Sequence, residues 1–280
     1  MFVHVDAKQD IRPFERELGP LVESGRVEWV EPRIKCHWAG PGHLMATLGA
    51  AAQALASGHD FSHLVLLTGQ DYPIRSTAET RRFFAEHRDK SFLSWSFGEE
   101  REVPDEERPG NERWYWNGGR ERIVSRHYKL PGREHPLSFP NRVLPFIPKR
   151  RWPEGLVAVQ GLAYWSLTHE AVAYCLDYAR RRPGLGSYLK RSFAPDENFF
   201  QMVLLSSDLA PKLVNEDLRY LNWRVYHPRT VTMDDLEPML ASRKLFARKF
   251  DPEVDRAVMD ALDEHARAAA RFEVVHALGA

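Results

Sequence analysis

Pro195-Asp196-Glu197 stands directly ahead of the apolar run Asn198-Phe-Phe-Gln-Met-Val-Leu204, and two carboxylates in that position can do two different things. Proline suits the first helical position and acids in the first turn complement the helix dipole, so the triplet makes an ordinary helix start. A carboxylate placed against a bound substrate can instead take a proton as a general base. Asp71, in Gly69-Gln-Asp-Tyr-Pro73, offers the same choice between a turn residue that bonds nearby amides and a proton acceptor. Asp6 reads as a helix cap or a loop acid. Trp223 presents an aromatic face that suits the apolar face of a sugar, and equally the bulk of a packed core. The chain has no Asp-x-Asp pair, and its 12 histidines show no ligand spacing, so no metal site is expected.

These residues must be held by a folded domain. Of 280 residues, 43% are hydrophobic and 28% charged, enough for a sizeable core. Lysine plus arginine and aspartate plus glutamate each number 39, a balance that argues against a nucleic-acid partner and leaves only peripheral membrane contact open. Cys36 and Cys175 are far apart and fit a reducing compartment. No apolar run approaches the roughly 20 residues of a membrane helix. The start, MFVHVDAKQD, lacks the basic and apolar regions of a signal peptide, so a cytoplasmic location is expected.

Phe2 to Val5 and Val27 to Val30 read as short strands, and His63 to Thr68 as a strand buried on both faces, of the kind parallel sheets use. Leu44 to Leu55 and Thr77 to His87 read as helices, the second after a turn at Asp71-Tyr-Pro-Ile74. Residues 97–153 change character, with charge, Pro, Gly and aromatics but weak periodicity, which predicts a long loop-rich insertion over a binding face. A strand at Leu162 to Ser166 follows, then helices at His169 to Arg180, from Pro195, and at Asp255 to Phe272. The alternation predicts a single α/β domain over 1–280, with ligands at the carboxyl ends of the strands.

Seven segments, in order, resemble the core-2/I-branching β-1,6-N-acetylglucosaminyltransferases and peptide O-xylosyltransferases of glycosyltransferase family 14. They are His4-Val-Asp6, His37-Trp-Ala-Gly40, Leu66 to Arg75, Gly161 to Trp165, Pro195 to Gln201, Leu218 to Trp223 and Leu245-Phe-Ala-Arg-Lys-Phe-Asp251. The compact length and the lack of a cysteine framework look more like the family's bacterial members. The resemblance implies a GT-A-type, Rossmann-like fold and inverting transfer from a UDP-sugar. Family members usually begin with a further strand and helix, so the match implies that the sequence starts at the family's second strand.

By the same resemblance, Glu197 matches the catalytic base and Asp196 becomes the helix-capping partner. Asp71 is the competing base, favoured by the xylosyltransferase branch. Arg229, in His227-Pro-Arg-Thr230, and Lys249 match the cations that stabilise the diphosphate leaving group without a metal; Arg248 is set aside because the branching enzymes are not basic there. Asp6, Trp38 and Thr68 match the nucleotide pocket, and Arg113 an acceptor-contacting arginine, with Trp223 as an acceptor platform. The implied function is transfer of a sugar, UDP-GlcNAc being the first donor expected and UDP-xylose the alternative, to a hydroxyl of a glycan or glycoconjugate, with no cofactor. A non-catalytic glycan- or nucleotide-binding relative is the rival from another class.

Overall fold

The computed structural model describes residues 1–97, 123–128, 137–139, 150–224 and 227–278. Along the chain run β1 (Phe2–Val3), α1 (Arg12–Glu23), β2 (Glu28–Trp29), α2 (Gly42–Ala56), β3 (His63–Val65), β4 (Asp71–Pro73), α3 (Thr77–Glu86) and β5 (Ser91–Ser96). Next come β6 (Arg126–Tyr128), β7 (Leu137–Phe139), β8 (Gln160–Thr168), α4 (His169–Arg181), α5 (Pro183–Leu189) and α6 (Phe199–Leu205). The rest is β9 (Leu213–Asn215), β10 (Arg219–Leu221), β11 (Trp223–Arg224), β12 (His227–Pro228), α7 (Leu236–Ala241), β13 (Phe246–Arg248) and α8 (Ala257–Leu278).

The largest sheet has the order β3-β8-β5-β9, and a second has the order β10-β13-β4. Both are mixed: β8 is antiparallel to β3 and β5, while β5 and β9 run parallel, as do β10 and β13. The expected parallel environment of the His63 strand is therefore corrected. Its residues are half-buried and pair antiparallel with Ser166 to Thr168, while Leu64 and Leu66 pack on the main core and Val65 on the Phe84–Phe92 cluster, so both faces are packed but within a mixed sheet.

Local chemistry sets the element ends. Ser76 opens α3 with a capping box, its hydroxyl accepting from the Glu79 amide and the Glu79 carboxylate accepting from the Ser76 amide. Thr168 caps α4 in the same manner, accepting from the Ala171 amide at 3.3 Å. The core lies between β5, β8 and helices α2, α4 and α6, where Leu93, Trp165, Leu167, Phe199, Phe200, Met202 and Leu204 are all buried. Each such side chain contributes roughly 1.5–3 kcal/mol by leaving water, which is why the apolar run after Glu197 docks against β8.

Two further expectations are revised. Asp71-Tyr-Pro73, read as a turn, is a short strand antiparallel to β13, and Pro73 is tolerated because β4 lies at the sheet edge. The helix expected from Pro195 is divided: Pro195–Glu197 form a single 3-10 turn, and α6 starts only after Asn198. Arg113 and most of 97–153 lie outside the described residues.

Candidate active site

The loop between β3 and β4 is built around Asp71. Its amide donates to the Thr68 carbonyl at 3.0 Å, and its carboxylate accepts from the Thr68 amide at 2.8 Å. The side chain is fully shielded from solvent and faces two guanidinium groups, Arg248 at 3.3 Å and Arg219 at 3.7 Å. Arg248 also donates to the Thr68 hydroxyl. β13 brings it there because Arg248 pairs in register with Asp71.

Arg219 is buried with its partners supplied by the chain. Its guanidinium donates to the carbonyls of Asp217 and Leu66, and its carbon lies 4.8 Å from the Tyr164 ring centre and 5.5 Å from that of Phe246. Burial pushes its pKa down, with the Asp71 carboxylate opposing. The Arg248 guanidinium lies 5.3 Å from the same Tyr164 ring. Burial holds the Tyr164 phenol well above its ordinary range; Arg248 and Arg219 pull it down, while Asp71 and Glu197 push it further up. Tyr164 therefore stays a neutral hydroxyl that feels both candidate carboxylates and both arginines.

Glu197 reaches this cluster from the opposite side. Its 3-10 turn packs on β8, the strand that carries Tyr164, and its amide donates to the Ala194 carbonyl at 3.0 Å. Both residues are half-buried, and the Asp71 side chain itself has no exposed surface. The bend before the turn needs Ala194 in a left-handed conformation, φ 42°.

Lys249 follows Arg248 directly, and its carbonyl accepts from the Val231 amide at 2.9 Å, which ties the Arg229 segment to the end of β13. Arg229 is bound to Asp235 through one terminal nitrogen, while Asp235 is itself held by the Thr232 amide and Asn222. Among the described residues Nε and Nη1 of Arg229 carry no protein partner, so the ion pair orients the guanidinium without using up its donors. Trp223 is half-buried on the β11–β12 hairpin, which leads into Arg229.

Asp6 lies just beyond β1. Its carboxylate accepts from the amides of Lys8 and Cys36 at 2.9 and 3.2 Å and pairs with the Lys8 ammonium at 3.3 Å. Burial opposes its charge, but these donors outweigh it and hold the carboxyl below its usual range. Burial pushes the neighbouring Cys36 thiol up to about 11. Trp38 keeps 42% of its surface and meets Phe193 edge-on, with ring centres 5.2 Å apart. A cavity of about 610 Å³ lies at the opposite end of β3, beside Ser62, His169 and Lys212, and contains none of the residues singled out from the sequence.

The structure thus joins Thr68 and Asp71 in one cluster, sets the turn of Glu197 on the strand that carries Tyr164, and has Lys249 follow Arg248 in the chain. Asp6 lies just beyond β1, Trp38 stands in the loop bonded to the Glu197 turn through Ala39 and Ala194, and Arg113 is outside the described residues. Three members were not assigned from the sequence. Arg219 and Tyr164 lie inside quoted motifs but in apolar strands, and Arg248 had been discounted; an arginine within an apolar strand was the available signal.

Mixed sheets and helices that carry such charged loops are consistent with a glycosyltransferase domain. Residues 2–243 match the Core-2/I-Branching enzyme family, and the chain belongs to that family. It is 25% identical to xylosyltransferase 2 of Rattus norvegicus over 290 residues and to that of Homo sapiens over 291, in each case covering 94% of this chain and 30% of the relative. It is 24% identical over 269 residues to the beta-glucuronosyltransferase GlcAT14A of Arabidopsis thaliana, covering 91% of this chain and 56% of that protein. The chain therefore spans under a third of the length of these xylosyltransferases.

Proposed function

We propose that the chain is an inverting, metal-independent glycosyltransferase that moves a sugar from a UDP donor to a hydroxyl of a glycan or glycoconjugate. The observation that carries this reading is the position of Tyr164, which stacks on Arg219 and Arg248 and lies within electrostatic reach of both Asp71 and Glu197. Carboxylates and cations around one ring support a site that combines proton removal with leaving-group stabilisation.

In the proposed reaction the Glu197 carboxylate accepts the proton of the acceptor hydroxyl as that oxygen attacks the anomeric carbon. The bond from this carbon to the diphosphate oxygen breaks, and the electron pair leaves with UDP. Lys249, Arg229 and Arg248 meet the charge that develops on the diphosphate, arginine through paired N–H donors and lysine as a compact charge. Asp71 is read as the carboxylate that orients Arg248 and Arg219, because its two oxygens are already engaged and shielded. Asp6, Trp38 and Thr68 are assigned to the nucleotide and Trp223 to the acceptor.

UDP-GlcNAc is the donor first expected from the branching enzymes, while the names of the relatives favour UDP-xylose, with UDP-glucuronate next. The test is UDP release with these three donors, each with a panel of glycan acceptors and EDTA present. Turnover of one donor under chelation supports the reading. Complete loss in EDTA with recovery on Mn²⁺ refutes the metal-free mechanism, and binding of UDP without turnover of any donor favours a non-catalytic relative.

A further inference from the structure

Helix α6 is apolar almost throughout: Phe199, Phe200, Met202, Val203 and Leu204 are all buried. Gln201 is fully buried among them, and Asn198, directly after Glu197, is buried as well. The Gln201 side-chain amide donates to the Leu162 carbonyl at 2.9 Å and to the Ser94 carbonyl at 3.3 Å, so it joins β8 and β5. Asn198 donates to the Val159 carbonyl at 3.1 Å. The strands are shaped to receive these amides. The β5–β8 register shifts between Leu93 and Trp95, which disrupts the ladder around Ser94. Opposite lies Gly161, where a Cβ would come within 2.1 Å of the Ser94 carbonyl oxygen and 2.4 Å of the Gln201 nitrogen.

Among the described residues the side-chain oxygens of Asn198 and Gln201 are buried without a protein partner, which costs stability. Local rules broken in this manner concentrate at functional sites. Two amides three residues apart, Gln201 on carbonyls of β8 and β5 and Asn198 on the Val159 carbonyl just ahead of β8, oppose sliding or rotation of the preceding 3-10 turn about β8.

We infer that Gln201, assisted by Asn198, is a positioning residue that fixes the Glu197 carboxylate relative to the cation cluster carried by β10 and β13. The inference rests on the reading of Glu197 as the base. Neither amide touches substrate; each acts through the backbone of the turn.

The experiment is a double-mutant cycle on the full chain, reading UDP release from whichever of UDP-xylose, UDP-GlcNAc and UDP-glucuronate the unmodified chain turns over. Gln201→Met keeps the volume and removes the donors, and is expected to lower kcat by about 10–100-fold, the cost of a misplaced reacting group, with donor KM within about twofold. On a Glu197→Gln background the same substitution is expected to add less than about a twofold loss. An unchanged kcat in Gln201→Met beside an inactive Glu197→Gln overturns the positioning role and leaves the base reading intact. An equal loss on both backgrounds also overturns it, because the amide then does not act through Glu197. A fully active Glu197→Gln, or no turnover of any of the three donors by the unmodified chain, removes the base reading and the inference with it. If Gln201→Met does not fold, Gln201→Glu replaces it: its protonated acid can donate and its carboxylate cannot, so its kcat should fall with rising pH where the unmodified chain's does not, and coincident pH profiles overturn the proposal.

Discussion

The amide of Ala194 donates to the carbonyl of Ala39 at 2.8 Å, and both alanines hold left-handed backbone, φ 42° and 53°. The bond ties the loop that carries Trp38 to the turn that carries Glu197, and the Trp38–Phe193 edge contact lies beside it. An L-residue in this conformation costs roughly 1–2 kcal/mol, and glycine avoids that cost while losing about 0.5–1 kcal/mol of unfolded-state entropy. Ala39→Gly and Ala194→Gly are therefore expected to leave stability unchanged or raise it by up to about 1 kcal/mol. Ala194→Val, β-branched in a left-handed position, should lower it. Urea denaturation measures all three, and a loss of more than about 1 kcal/mol in both glycine variants would contradict the strained bridge.

Asp71 compensates two guanidinium groups from a site without solvent. Asp71→Asn keeps the shape but leaves buried Arg219 with Asp217 as its remaining counter-charge, and breaking a buried pair from one side costs up to about 3–5 kcal/mol. The variant should be markedly less stable, whereas Glu197→Gln, at a half-buried position, should lose no more than about 1 kcal/mol. Denaturant midpoints compare the two, and an Asp71→Asn protein of unmodified stability would remove the orienting role given to Asp71.

Lys249→Ala and Arg229→Ala are each expected to lower turnover by roughly 10²–10³-fold, the usual effect of removing one preorganised stabiliser of developing charge. UDP affinity should fall as well, by calorimetric titration. Arg248→Ala should show the same loss, together with a looser Thr68–Asp71 loop. Turnover and affinity near those of the unmodified chain in all three variants would make these residues ordinary surface cations.

Acidification should destabilise the fold through its histidines. Burial lowers the pKa of His4 and His63, with Asp6 opposing at the first and the Lys90 carbonyl at the second. His4 must also be neutral at Nε2, which accepts from the Ile34 amide at 2.9 Å. Because the folded values lie below the unfolded value of about 6.5, this stability is fully present above that pH and is lost as pH falls through the folded values. Thermal midpoints should drop between about pH 7 and pH 5. A flat profile over that window would contradict the neutral, buried state of these side chains.

Much of this was legible in the sequence, and the failures share a cause. The helices at Thr77 to His87 and His169 to Arg180 recur as Thr77–Glu86 and His169–Arg181, and the strand at Leu162 to Ser166 recurs inside Gln160–Thr168. The direction of the His63 strand was not legible, since an apolar run does not state which neighbour it will meet. The bond expected between Asp71 and a nearby amide is present, in its acceptance from Thr68, but its pairing with Arg248, 177 residues away, was not legible. The same distance hid the cluster at Tyr164: Arg219 and Arg248 look like isolated charges until β10 and β13 pair.

The account turns on which carboxylate takes the acceptor proton, and the most direct measurement is sugar transfer by Glu197→Gln and Asp71→Asn under saturating donor and acceptor, normalised to folded protein. The account predicts that Glu197→Gln loses most transfer, by about 10²–10⁴-fold, while it binds UDP nearly as the unmodified chain does. Asp71→Asn should retain turnover in the fraction that stays folded, reduced only through the loss of Arg248 orientation. An inactive, folded Asp71→Asn beside an active Glu197→Gln would contradict the account and move the base to the Gly69-Gln-Asp-Tyr-Pro73 loop.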